Sequence, residues 1–385
     1  MDSNILVMDD KIERILQSKL LKELVENNKI VIVYGPRQTG KTTLANDMLA
    51  NFEGKVLKVN TDQLKFVDVF SSRDLNRMKL LVDGYDILFI DEAQRIKDIG
   101  INLKILYDNL PDLKLFVTGS SSFDLANVIN EPLTGRTSTN ILFPISLSEL
   151  RKTHTIFELN DRLEEFMVFG MYPEVFRYAA ARKKEKYLRE VSVSYLYKDV
   201  LEISTIRNTS KLRDLLKLLA FQIGSEVSMS ELSVSLSLSI ETVQAYIELM
   251  EKSFVIFRLS GFNRNLRKEI SKRDKFYFWD LGIRNALIEN FSMFNMRNDI
   301  GSLWENFIIL ERMKHLAYND IYASSYFWRT YTGAELDYIE EINGKLFAYE
   351  IKFRKPKTSA PKTWIENYSN NYKCITTDNL WEFVV

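Results

Sequence analysis

Cysteine and histidine are nearly missing from this 385-residue chain. The single Cys374 excludes an internal disulfide framework and a thiolate zinc cluster. Two histidines, His154 and His315, argue against a His-rich metal site. An excess of either charge is missing too, since 52 Lys and Arg meet 52 Asp and Glu. That balance excludes a histone-like basic protein and confines any basic patch to a local stretch. No run approaches the roughly 18 uncharged apolar residues of a membrane helix. The opening MDSNILVMDDKIERI has four acids against two bases up to Arg14, so no signal peptide is expected. The expectation is a soluble cytoplasmic protein with no membrane partner. What is present is 46% hydrophobic and 12% aromatic residues, enough for sizeable cores. At roughly 150 residues per domain the length suits two or three domains.

Residues 30–34, IVIVY, form a β-branched apolar run, and Gly35-Pro36-Arg37-Gln38-Thr39-Gly40-Lys41-Thr42 follows at once. The run fits G-x-x-x-x-G-K-[ST], and Thr43, Leu44, Ala45 and Met48 continue it with helical spacing. Glycines let backbone N–H groups turn around phosphate oxygens, and the helix N-terminus adds partial positive charge. Lys41 is then expected on the β- and γ-phosphates of ATP and Thr42 on Mg²⁺. Residues 86–90, DILFI, read as a buried strand ending in Asp91-Glu92. Asp91 is expected to hold Mg²⁺ through water, and Glu92 to orient and polarise the attacking water. A third strand, Leu113–Val117, ends in Thr118-Gly119-Ser120-Ser121. Thr118 or Ser120 is a candidate γ-phosphate sensor; the alternative is a plain polar turn. Arg136, in Leu133-Thr134-Gly135-Arg136, is either a transition-state arginine acting in cis or in trans, or a solvated loop charge. An apolar strand is expected at Ile141–Phe143.

GPRQTGKTT, LFIDEAQR, VTGSSS and LTGR with LFPISLSEL resemble the AAA-type P-loop ATPases. One bacterial and archaeal branch fits in particular: its C-terminal half is a domain of unknown function with a restriction-nuclease-like core. Gly170-Met171-Tyr172-Pro173-Glu174 resembles its segment after the lid, and Tyr197-Lys198-Asp199-Val200 its junction helix. The resemblance spans the chain. It implies an α/β ATPase core, a helical lid, a winged helix and a nuclease-like end domain.

Residues 157–205 read as helices, with Arg182-Lys183-Lys184-Glu185-Lys186 between them as a solvated face. Leu212, Leu215, Leu216, Leu219 and Ala220 stripe one further helix, a short one starts at Ser230, and a third begins after Ser239. Strands are expected at Phe254–Leu259 and Lys275–Trp279. Three helices and a two-stranded wing make a winged helix. Its third helix, 240–252, carries Glu241, Glu248 and Glu251 against Lys252, a poor surface for reading bases. The connector 264–275 holds six bases (Arg264, Arg267, Lys268, Lys272, Arg273, Lys275) against two acids. The module is therefore either structural, docking a protein partner, or a contact to nucleic-acid backbone.

An amphipathic helix opens at Gly301. Asp337 lies in an alternating strand, Asn343-Gly344 makes a hairpin turn, and the partner strand carries Glu350 and Lys352. Residues two apart share a strand face, so two carboxylates and an ammonium converge as in a PD-(D/E)xK phosphodiesterase. Asp337 and Glu350 are expected to ligate a second Mg²⁺ or Mn²⁺, and Lys352 to hold water or developing charge. Leu336 stands where that motif usually has proline. Glu305 resembles the family's helix acid, which ligates directly or through water. The alternative is a degenerate fold using these charges as an ion-pair network. Downstream, Lys352, Arg354, Lys355, Lys357 and Lys362 are five bases without an intervening acid, either a phosphate-backbone surface or a solvated loop.

The reading is an α/β chain of four parts: ATPase core 1–150, helical lid 151–208, winged helix 209–280 and nuclease-like domain 281–385. It binds and hydrolyses ATP and acts on nucleic acid, or assembles with itself or a protein partner as an ATP-gated signalling or defence scaffold.

Overall fold

The computed structural model describes residues 12–27, 29–119, 133–203, 208–263, 274–330 and 332–385, with the side chains of 194–203 outside the description. Ser120 and the connector bases Arg264, Arg267, Lys268, Lys272 and Arg273 lie outside the described residues. Two compact units result. One comprises Glu13–Pro144 with Lys252–Phe254, the other Ile145–Glu251 with Val255–Val385.

In the first unit, β1 (Ile30–Tyr34), β2 (Val56–Asn60), β3 (Ile87–Asp91), β4 (Lys114–Gly119) and β5 (Thr137–Ile141) form a parallel sheet. Its order is β2-β3-β4-β1-β5. The central strands are apolar throughout because both faces of a parallel sheet are covered. Ile30, Ile32, Leu88, Ile90, Leu115 and Val117 pack with Phe70, Leu103 and Leu106 from the helices. β5 falls earlier than the apolar run 141–143. It is an edge strand of sequence TSTNI, and its inner polar groups are satisfied by one carboxylate: Ser138 and Asn140 donate to Glu23 at 2.7 and 3.0 Å.

The second unit begins with short helices capped by their own sequence. Ser146 with Glu149, and Thr155 with Glu158, form reciprocal capping boxes. The basic run 182–186 opens the helix Ala181–Ile203 rather than separating helices, and Lys184 is buried against Glu165. It is thus not a wholly solvated face.

Helices Thr209–Phe221, Met229–Leu236 and Ile240–Lys252 follow, the last capped by Ser239 (Thr242 N to Ser239 Oγ, 3.2 Å). Between the first two lies a short strand the sequence did not suggest, β6 (Glu226–Val227). β7 (Ile256–Gly261) and β8 (Asp274–Phe278) pair antiparallel, and β8 also pairs with β6. The sheet does not stop there. β7 pairs in parallel with β9 (Ser324–Arg329), matching Ser260 to Tyr326. β10 (Glu335–Ile342), β11 (Lys345–Ile351) and β12 (Tyr372–Ile375) complete seven strands, ordered β12-β11-β10-β9-β7-β8-β6. The β10–β11 hairpin turns at Asn343 and Gly344, both at positive φ (50° and 75°) as a two-residue type I′ turn requires. Helix Ile300–Tyr318 packs on the second unit's core with Trp304 and Phe307 buried.

A buried acid ties this unit together. Asp280 accepts from Met171 N at 2.7 Å and from Ile283 N at 3.0 Å, capping the helix Leu281–Leu287. Burial pushes its carboxyl up from 3.8 to about 6. A raised carboxyl means the folded state holds its proton more tightly than the unfolded chain. The stability this contributes is complete below about pH 4 and lost as pH rises through about 6. The expected result is a wild-type midpoint that falls relative to Asp280→Asn between about pH 4 and 7. Thermal scans of both proteins across that range check it; a difference independent of pH would sink the assignment.

Candidate functional site

The P-loop follows β1 directly. Gly35 sits at φ 147°, and a Cβ there would lie 2.3 Å from the Leu142 carbonyl oxygen, so only glycine fits. Gln38 at the loop tip is also left-handed (φ 59°), a strained position of the kind that collects at binding loops. Thr39 is buried and donates to Pro36 O at 2.8 Å, closing the loop on itself. Pro36 is buried with it and Arg37 half-buried, while Gly40 leads into the helix Lys41–Ala50. Lys41 is 6% exposed, and its ammonium donates to the carbonyls of Gly35 (2.9 Å) and Pro36 (2.8 Å). Thr42 and Thr43 occupy the first exposed turn of the helix.

The sheet order decides what faces this loop. β4 intervenes between β1 and β3, so its tip stands between the P-loop and the carboxylates. Thr118, fully buried, makes a short hydrogen bond to Asp91 Oδ1 and accepts from Glu92 N at 3.4 Å. Thr42 Oγ1 donates to the other oxygen, Asp91 Oδ2, at 2.9 Å. Asp91 is thereby shared between the P-loop helix and the strand tip. A hydroxyl beside a carboxylate is the hard-oxygen donor set that suits Mg²⁺. Glu92 is left-handed (φ 54°), which turns its side chain out of the strand direction.

Two residues that sequence reasoning missed hold this geometry. Thr61, just past β2, donates to the carbonyls of Asp91 (3.1 Å) and Glu92 (3.2 Å). Gln94 Nε2 donates to Glu92 Oε2 at 2.5 Å. Gln94 was visible as part of the DEAQ run; Thr61 had no local signal.

Arg136 is not brought to this site. Its carbonyl accepts from Ile30 N, at the start of β1, and its guanidinium pairs with Asp108 at 3.0 Å. The P-loop leaves the other end of β1, about 15 Å away for a five-residue strand. Parallel pairing puts the starts of β1 and β5 on one edge and the phosphate loop on the opposite one, so Arg136 does not reach the chain's own site.

In the second unit, Asp337 on β10 and Glu350 on β11 are buried, and Lys352 follows β11 directly. Lys352 Nζ lies 3.1 Å from Asp337 Oδ2 and 3.0 Å from Glu350 Oε1. One ammonium therefore bridges the two carboxylates. Burial alone would lower the Lys352 ammonium, but Asp337 and Glu350 outweigh it and hold it above its ordinary value. Ile351 N donates to Asp337 Oδ2 at 2.8 Å. Lys357 reaches Glu350 Oε1 at 3.2 Å, while Glu350 Oε2 is buried with no hydrogen-bond partner. That orphaned oxygen fits a cation.

Glu305 departs from expectation. Its Oε1 accepts from Lys275 (3.0 Å) and Tyr277 (2.5 Å) on β8, and burial raises its carboxyl against the pull of Lys275. Among the described residues no three His, Cys, Asp or Glu side chains gather as a metal group, so Glu305 does not stand as a third ligand. The basic stretch 352–362 is weaker than its composition suggests, since Lys352 and Lys357 turn onto Glu350. Lys275, the one connector base described, is buried on Glu305. No described helix is long and apolar enough to cross a membrane.

Residues 27–151 match the family described as AAA domain. Residues 160–293 and 300–379 match two domains of unknown function, DUF8612 and DUF4143. A Mycobacterium tuberculosis protein described as uncharacterized is 28% identical over 354 residues, covering 91% of this chain and 75% of that protein. A similarly described Methanocaldococcus jannaschii protein is 27% identical over 328 residues, covering 79% of this chain and 72% of its own length. A solved structure, the Walker-type ATPase of Pyrococcus abyssi, aligns with TM-score 0.49 and 16% identity over 72% of this chain and 96% of that one. The first unit is an α/β fold with a P-loop, and its residues 27–151 are the part similar to the AAA domain family.

Proposed function

We propose that the chain binds and hydrolyses ATP at Lys41, Thr42, Asp91 and Glu92. We further propose that it couples nucleotide state to action on nucleic acid through a PD-(D/E)xK-like site at Asp337, Glu350 and Lys352. The observation that carries the first half is Asp91, divided between Thr42 and Thr118 with Glu92 beside it. Lys41 exchanges the Gly35 and Pro36 carbonyls for β- and γ-phosphate oxygens, and Thr118 senses the γ-phosphate. Thr42 and Asp91 would hold Mg²⁺, which neutralises phosphate charge. Glu92, with Oε2 held by Gln94, orients the attacking water with its remaining oxygen. A homo-oligomer in which Arg136 serves a neighbouring copy's nucleotide belongs to this proposal, because Arg136 lies across the sheet from its own loop. So does the reading of 209–280 as a winged helix touching nucleic-acid backbone rather than bases.

For the second half, Asp337 and Glu350 would hold Mg²⁺ or Mn²⁺, and Lys352 would stabilise charge on a phosphodiester. Wild type is expected to relax plasmid DNA with Mn²⁺, and Glu350→Ala to lose both cleavage and Mn²⁺ binding while ATP turnover persists. Wild type that neither cleaves nor binds Mn²⁺ removes this half. A second reading, an ATP-gated scaffold whose end domain only binds, is favoured by the ion pairs that Lys352 and Lys357 close on Glu350. Nucleotide-dependent assembly without cleavage selects it.

A further inference from the structure

Arg14 precedes the first helix, Leu16–Glu26, and is 8% exposed. A buried guanidinium is costly unless its donors are met. Here Arg14 donates from one terminal nitrogen to Thr39 O at 2.7 Å and from the other to Phe143 O at 2.5 Å. The two carbonyls belong to segments a hundred residues apart in sequence: the phosphate loop, and the stretch just past β5 whose Leu142 closes on Gly35. We propose that Arg14 is a positioning residue for nucleotide binding, bridging the Thr39 and Phe143 carbonyls to fix the P-loop in its phosphate-receiving shape. The inference rests on the reading of the P-loop as a nucleotide site.

The physical link is the planarity of the peptide unit. The carbonyl of Thr39 and the N–H of Gly40 belong to one trans peptide and point in opposite directions. Anchoring the carbonyl on Arg14 therefore directs the Gly40 N–H away from Arg14, at the entrance of the helix Lys41–Ala50. Unpaired N–H groups at such an entrance are what a phosphate binds. Lys41 holds the other end of the loop through Gly35 and Pro36, and Thr39 Oγ1 ties the middle to Pro36. Arg14 adds a side-chain tether from outside the loop, on the Thr39 carbonyl. Its rigid fork reaches two carbonyls at once, which a lysine ammonium on a flexible stem does not reproduce.

The test compares wild type, Arg14→Met and Arg14→Lys with a fluorescent ATP analogue and in steady-state phosphate release. Arg14→Met keeps the packing volume and removes the donors. It is expected to raise the analogue's Kd and the KM for ATP about 10-fold or more, with a smaller change in kcat. Arg14→Lys is expected to fall between. If Arg14→Met does not fold, the Arg14→Lys Kd decides, because one recovered carbonyl still leaves a measurable loss. Variants that melt earlier but bind the analogue as wild type does would overturn the inference and reduce Arg14 to a packing role. Wild type that binds no ATP analogue would overturn the nucleotide reading itself, so the two failures are distinguishable.

Discussion

Glu92→Gln is expected to bind ATP as wild type does and to lose turnover by about two to four orders of magnitude, the range for removing a positioned general base. The substitution is close to isosteric, so the left-handed backbone at Glu92 and its restraints remain. Thr61 still donates to the Asp91 and Glu92 carbonyls, and Thr118 still accepts from the Glu92 amide. What disappears is an oxygen able to take a proton from water. Lys41→Ala acts earlier. It removes the ammonium that meets the β- and γ-phosphates, so binding itself should fail. The two variants therefore separate in an assay of nucleotide affinity and phosphate release. An unchanged steady-state rate in Glu92→Gln would remove Glu92 from the chemistry. Normal affinity in Lys41→Ala would place the phosphates elsewhere.

The phosphate loop and the Asp91-Glu92 pair were legible because each is a local device. Strand, loop and helix are contiguous, and the residues that make the chemistry are those that make the turn. The β10–β11 hairpin was legible for the same reason, through Asn343-Gly344. Position across the sheet was not. Arg136 follows a glycine turn as a catalytic arginine could, yet the register of β5 on β1 puts it at the opposite edge from the P-loop. β5 itself was read too late in the chain, because hydrophobicity marks central strands and this one is an edge strand whose polar groups bind Glu23. The parallel pairing of β7 with β9 joins segments more than sixty residues apart and leaves no periodic trace in either. Thr61 and Arg14 act on backbone carbonyls, which every residue possesses, so no pattern of side chains could announce them.

The second large effect concerns a half-buried carboxylate that no motif marks. Asp299, at the start of helix Ile300–Tyr318, accepts from Arg297 Nε and Nη2, both at 2.8 Å, and from Arg284 Nη1. Both arginine side chains are buried, at 2% and 0% exposure for Arg284 and Arg297. Arg284 Nε also donates to Ala220 O at 2.8 Å, linking helix Thr209–Phe221 to this knot. Burial alone would raise the Asp299 carboxyl, but Arg297 and Arg284 outweigh it and hold it below its ordinary value. Asp299→Ala leaves two guanidiniums without their shared counter-charge. The expected cost is about 3–5 kcal/mol, the range for breaking a buried pair from one side. In urea the midpoint should fall with little change in slope, as for a loss of stability without a change in exposed surface. The pH dependence supplies a second reading of the same group. A depressed carboxyl contributes stability that is present above its unfolded value, near pH 4, and lost as pH falls through the folded one. The stability gap between wild type and Asp299→Ala should therefore close in acid and be full at neutral pH. A gap that is absent at neutral pH, or that widens on acidification, would mean that the carboxylate is not what neutralises Arg284 and Arg297.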